Sequence, residues 1–180
     1  MYEEALQVCR KTLGDRHPST LVSLHHMGLL LQDMNKLEEA RPLLEEDLQA
    51  CRETLGCRHP STLTSINNLG LLLQDMGQLE AAGLLFQEDL QASRETLGDR
   101  HPSTLTSIIN MGMLLKQMGK LDEARPLYEE VLQARRETLG DRHPDTLVSI
   151  NDKCMLLLVM CKLDEAMPLY EEALQARVFV

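Results

Sequence analysis

The chain has 180 residues, 43% of them hydrophobic, with no Trp, 3 Tyr and 2 Phe, so its core must come from Leu, Met, Ile and Ala, the vocabulary of packed helices rather than β-sandwiches. A net charge of −10 without a basic cluster argues against nucleic acid and against a membrane surface as partners, because both reward Lys and Arg. The longest apolar stretch, Cys154 to Cys161, falls short of the roughly 20 residues a bilayer span needs, and Met1-Tyr2-Glu3-Glu4 has no basic segment of a secretory signal, so a cytoplasmic location is expected.

In chain order, residues 1–17 predict a helix that stops before Gly14, and its Tyr2-Glu3-Glu4-Ala5-Leu6-Gln7 returns as Tyr170-Glu171-Glu172-Ala173-Leu174-Gln175. The chain is therefore expected to open in the middle of a repeat. His17-Pro18 begins a pattern that recurs at His59-Pro60, His101-Pro102 and His143-Pro144, in steps of 42 residues. This sets repeats at 18–59, 60–101, 102–143 and 144–180, the last truncated, all expected in one solenoid domain. Residues 60–101 and 102–143 are identical at 28 of 42 positions, which marks them as duplicated units.

Within the second repeat, Leu63, Ile66, Leu69, Leu73 and Met76 keep a spacing of three or four, and so do Leu79, Ala82, Phe86, Leu90, Ser93 and Leu97. Each repeat thus predicts two amphipathic helices, A and B. Gly14, Gly56, Gly98 and Gly140 end helix B, and the Pro of each His-Pro pair suits the first position of helix A. Asn35, Gly77, Gly119 and Cys161 make the turn from A to B, with Cys161 the residue least suited to positive φ. Pro42, Pro126 and Pro168 fall about one turn into helix B, where they bend it or shift its start.

The repeats share an apolar residue followed by Gly on helix A (Met27-Gly28, Leu69-Gly70, Met111-Gly112), a small residue on helix B (Ala40, Ala82, Ala124, Ala166) and a bulky one four further on (Leu44, Phe86, Tyr128, Tyr170). In that combination the chain resembles the tetratricopeptide repeat family, in the lengthened 42-residue form of kinesin light chains. The resemblance implies an all-α, right-handed superhelical solenoid of antiparallel helix pairs whose concave wall, lined by A helices, binds extended peptides. Gly and Ala allow close helix approach, with the bulky residue filling space towards the next repeat. The fourth repeat departs most, with Lys153-Cys154 in place of the apolar-Gly pair, and Asp47 and Asp89 occupy a normally small position late in helix B.

No Ser/His/Asp set, phosphate loop or paired catalytic carboxylates recur, and no cofactor is expected. The four His-Pro histidines are spaced by about a helix-packing distance, ~8–10 Å, too far for one zinc ion. His25 and His26 point about 100° apart on their helix and cannot share an ion either, although one of them can face the groove. Five cysteines without a CxxC pair fit reduced thiols. The acidic residues of helix B, Glu38-Glu39, Glu45-Glu46-Asp47, Glu129-Glu130 and Glu171-Glu172, are expected on a solvated face, and Arg16, Arg58, Arg100 and Arg142 in loop contacts, three of them beside Asp15, Asp99 and Asp141.

The sharper candidates lie on helix A. Asn67, Asn68, Asn110, Asn151 and Asp152 align with His25 and His26, and mid-helix amides are unfavourable without a partner. Some tetratricopeptide arrays pair an asparagine ladder with a peptide backbone; His26, Asn68, Asn110 and Asp152 resemble it, with Leu71 and Met113 as side-chain neighbours. Hydrogen bonds between repeats are the other use of these amides. The expected function is a non-catalytic protein-binding scaffold, in its specific version a kinesin light chain-like cargo adaptor. The alternatives are an array that self-associates head to tail through uncapped ends, exposing Tyr2 and Leu6 at one and Val178-Phe179-Val180 at the other, or the repeat segment of a larger protein with catalysis elsewhere.

Overall fold

The computed structural model describes residues 2–178 and holds nine α-helices among them: α1 (Tyr2–Leu13), α2 (Pro18–Asp33), α3 (Leu37–Leu55), α4 (Pro60–Asp75), α5 (Leu79–Leu97), α6 (Pro102–Gln117), α7 (Leu121–Leu139), α8 (Pro144–Val159) and α9 (Leu163–Val178). The even-numbered helices are the A helices and the odd-numbered ones the B helices. The chain forms two compact units, Met1–Thr96 and Leu97–Val180. In the N-terminal unit α1 packs on α2, α2 on α3, and α4 on both α2 and α3; in the C-terminal unit α6 through α9 pack in sequence.

Helix A starts where the His-Pro pair places it. Pro occupies the first turn, and the preceding His is the N-cap: the backbone N–H of Ser19, Ser61, Ser103 and Asp145 each donates to a histidine Nδ1 at 3.1–3.2 Å. The histidines thereby satisfy one of the N–H groups a helix start leaves open. At the other end of the same loop the buried hydroxyls of Thr20, Thr62 and Thr146 donate at 2.8 Å to the carbonyls of Gly14, Gly56 and Gly140. Gly56 has φ 88° and ψ 162°, a conformation that a residue with Cβ rarely adopts.

The A-to-B turn is a Schellman arrangement, with the Lys162 N–H donating to the Leu157 carbonyl at 2.9 Å and Cys161 at φ 58°. Asn35 and Gly77 take the same role at φ 58° and 74°. Because Cys161 carries a Cβ into left-handed space, Cys161→Gly should stabilise the fold by about 1 kcal/mol, raising Tm by roughly 2–4 °C for a chain of this size. A thermal melt with unchanged or lowered Tm contradicts that account of the turn.

The core sits between A and B helices, and its closest approaches are at helix-A glycines. A Cβ on Gly28 would lie 2.5 Å from Leu44, on Gly70 2.6 Å from Phe86, and on Gly112 3.2 Å from Tyr128. The bulky residue of helix B thus seats on the glycine of its own repeat, rather than filling space towards the next one as the sequence suggests. The fourth repeat breaks the arrangement: Cys154 stands at the glycine position, buried, and Tyr170 is 54% exposed. The Cys154 side chain takes up the space that a glycine leaves for the ring.

Leu6 is only 6% exposed, packed with Leu21, Leu24, Ala50 and Cys51, so it is not part of a sticky end. α2 and α3 cover it. The side chains of Tyr2 and Val178, together with Phe179 and Val180, lie outside the described residues.

The arginines of the loops also find partners other than the expected ones. Arg16 pairs with Glu53 at 2.7 Å, Arg58 with Glu95 and Arg100 with Glu137, while Asp15 and Asp141 pair with Arg10 and Arg136 instead. A second set, Arg10–Glu46, Arg52–Glu88 and Arg136–Glu172, spans 36 residues. Both sets join the end of one helix B, or the loop after it, to the next helix B. Exposed pairs of this kind contribute little singly, and their consistent spacing serves register more than stability.

Candidate peptide-binding surface

In the N-terminal unit α2 carries His25 and His26, α4 carries Asn67, Asn68 and Leu71, and a bond between Asn68 and His25 joins the two A helices. Asp47 of α3 sits at their base, 2% exposed, which corrects its expected place on a solvated face. Its Oδ2 accepts from Ser65 Oγ at 2.6 Å and pairs with His25 Nδ1 at 3.2 Å, and its Oδ1 faces the Cys51 thiol at 3.7 Å. The burial of an acid is costly unless donors surround it, and these three supply them.

His25 continues the network outward. A carboxylate only accepts, so Nδ1 carries the hydrogen and Nε2 accepts from Asn68 Nδ2 at 3.2 Å. The bond ties the second A helix of the unit to the first and uses one of the two hydrogens on the Asn68 amide. His26, the ladder residue by alignment, is exposed and meets His25 edge-on, with ring centroids 5.8 Å apart. Asn67, Asn68 and Leu71 are half-buried.

Beside this network lies an open recess of about 450 Å³. Pro18, Leu21, Val22 and Leu55 form apolar walls, and His25, Asp47, Cys51 and Ser65 its polar lining. Burial raises the Cys51 thiol pKa, with the neighbouring Asp47 adding to the shift and Ser65 opposing it, so this cysteine is not an activated nucleophile.

In the C-terminal unit, Asn110 is 8% exposed, Met113 is exposed, and Asn151 and Asp152 are half-buried. Burial pushes the Asp152 carboxyl upward, against the pull of Arg135 and Lys116. The Tyr128 phenol is pushed up to about 12, first by burial and then by Asp152. Glu129 goes the other way: burial raises it, but bonds from Arg125 and Lys153 prevail and hold it below the usual carboxylate range. Arg135 donates from Nη1 to Ser149 Oγ at 2.8 Å and to the Asp145 carbonyl at 3.0 Å.

Among the described residues, no group of three or more His, Cys, Asp or Glu is placed to hold a metal ion, and no helix is long and apolar enough to cross a membrane. The residues that sequence reasoning missed are Asp47, His25 and Ser65 as one constellation. The available signal was an acid at a helix-B position held by Val131 and Ala173 in the later repeats.

The family model for the tetratricopeptide repeat matches residues 1–46, 24–88, 65–137 and 104–177. The chain belongs to the tetratricopeptide repeat family. None of the curated proteins matches it. Among solved structures, this repeat array is similar to a Podosopora anserina protein provisionally named a kinesin light chain, with nearly identical TPR-like repeats. The likeness is 30% identity and a TM-score of 0.86 over 98% of this chain and 83% of that one. A single-substitution variant of that protein gives 28% identity and a TM-score of 0.88, with the same coverage. BtubC (BKLC) from P. vanneervenii, at 20% identity and a TM-score of 0.80 over 99% of this chain and 70% of that one, shares the fold. Tetratricopeptide repeats typically serve protein–protein interaction and are usually non-catalytic.

Proposed function

We propose that the chain is a non-catalytic, cytoplasmic scaffold that binds extended peptide segments along its A helices, in the manner of a kinesin light chain-like cargo adaptor. The observation that carries this reading is the open recess between α2, α3 and α4, to which the A helices contribute His25 and Ser65, in a chain that matches an interaction repeat over residues 1–177. The proposed contacts are His26, Asn67, Asn68 and Leu71 in the N-terminal unit and Asn110, Met113, Asn151 and Asp152 in the C-terminal one. Amides there offer a donor and an acceptor to a ligand backbone, and the apolar neighbours set side-chain preference.

A peptide-library screen followed by calorimetry tests the reading. Losing one hydrogen bond costs about 0.5–1.5 kcal/mol net, so Asn68→Ala and Asn110→Ala should each weaken binding roughly 2- to 13-fold, and together roughly 5- to 150-fold if they add. Helical circular dichroism should persist. Unchanged affinity in the double variant, or its unfolding, assigns these amides to holding repeats together.

A second reading, self-association, is favoured by one feature. On α8 and α9, Leu158, Leu163, Met167 and Tyr170 are all about half exposed or more and line a pocket of about 220 Å³ with Cys154 and Ala166. Apolar faces of this kind mark interaction sites. Light scattering over a concentration series should then show mass rising with concentration and Met167→Arg abolishing the rise, whereas a monomer mass at every concentration contradicts it.

A further inference from the structure

The two units treat one repeat position differently, and the difference identifies what the N-terminal recess can hold. Arg135 of α7 lays its guanidinium against Ser149 Oγ and the Asp145 carbonyl, on the first turns of α8. Two steps of 42 residues earlier, the corresponding positions are Cys51, Ser65 and Ser61, and all three line the open recess of about 450 Å³. The place that an arginine head group occupies in the C-terminal unit is thus open in the N-terminal one. Cys51 is too short to fill it.

The N-terminal unit also adds a charge there. Where the C-terminal unit has Val131 and Ile109, it has Asp47 and His25. Ser65, His25 and Cys51 all meet Asp47, and among the described residues no lysine or arginine pairs with it. Arg16, at the recess lining, is already held by Glu53 at 2.7 Å. The carboxylate thus has hydrogen-bond donors but no permanent positive charge beside it, an arrangement with room for a cation. A guanidinium completes it, because its charge is permanent and its planar donors match both a carboxylate and a hydroxyl. The walls of Pro18, Leu21, Val22 and Leu55 suit the aliphatic stem of such a side chain.

We propose that the recess between α2, α3 and α4 is a receptor for an arginine side chain presented by a partner's extended segment. The inference rests on reading the A-helix wall as a peptide-binding surface, and it names the residue type that surface selects. Asp47 is the specificity determinant, Ser65 the second acceptor, and His25 with Asn68 orients the carboxylate.

The test is an NMR titration of the isotope-labelled 180-residue chain with N-acetyl-arginine methylamide, and in parallel with the norleucine and lysine analogues. Saturable shifts are expected at the amides of Val22, Thr64 and Ser65 with the arginine probe, at least tenfold tighter than with norleucine and severalfold tighter than with lysine. Asp47→Asn should weaken the arginine probe at least tenfold. Val22→Trp, at an exposed position of the recess wall, should block it without touching the network, so the proposal stays testable if the Asp47 variant does not fold. No saturable shift with arginine, equal affinity for norleucine or lysine, or unchanged affinity in a folded Asp47→Asn overturns it. A peptide screen without hits beside a saturable arginine titration overturns the groove reading alone, and the reverse pattern overturns the recess alone.

Discussion

Phe86→Ala should lower the stability of the protein by about 3–5 kcal/mol, the range for emptying a fully buried aromatic site. The ring is 0% exposed and seats on the backbone of Gly70, with one ring carbon 2.6 Å from where a Cβ would be. A bare glycine backbone cannot relax into the space by a rotamer change, so little of the cavity closes. Urea unfolding of the variant should show the loss as a lower midpoint, and a loss under about 1 kcal/mol would mean that the helices have moved together.

Gly70→Ala should be the second large effect, and Gly112→Ala its control. A methyl group on Gly70 collides with Phe86, and overpacking of this sort costs about 1–3 kcal/mol. Alanine regains about 1 kcal/mol of helix propensity over glycine, so the net loss is about 0–2 kcal/mol, and the 2.6 Å approach to Phe86 places it towards the upper end. At Gly112 the same methyl stands 3.2 Å from Tyr128, a contact that a few tenths of an ångström relieves, and the propensity gain should leave that variant neutral or more stable. Removing the ring should also remove the penalty at Gly70, so Gly70→Ala measured in the Phe86→Ala background should be neutral or stabilising. If the two glycines respond alike, close helix approach is not what selects glycine.

Much of this architecture was legible because it is punctuated locally. His-Pro places the start of each A helix within the span of a single N-cap, and Gly56 or Gly140 ends a B helix through its own φ. Cys161 was legible as the odd residue of its turn for the same reason. The Asp47 network was not, because its members are far apart in sequence: His25 is 22 residues before Asp47 and Ser65 is 18 after it, on three different helices. The acidic run Glu45-Glu46-Asp47 predicts an outward-facing block; only packing shows that position 47 faces inward and what it meets there.

The adjacent histidines show a second limit. Which of His25 and His26 turns inward depends on the rotation of α2, set by the burial of Leu24, Met27 and Leu31, and a shift of one residue turns the helix by about 100°. His25 turns inward to Asp47, while His26, the ladder residue by the 42-residue step, stays exposed. The loop arginines carry the same lesson. Asp15 and Asp141 are adjacent in sequence to Arg16 and Arg142, but stacking of successive B helices brings Glu53 within 2.7 Å of Arg16 instead.

The central claim is that the A helices form the binding face, and amide shift mapping with a library-selected peptide tests it most directly. The account predicts that shifts concentrate on helix-A residues, with Asn68 and Leu71 among them in the N-terminal unit and Met113 and Asn151 in the C-terminal one. Shifts confined to the B helices, around exposed residues such as Glu45 and Leu84, would contradict it.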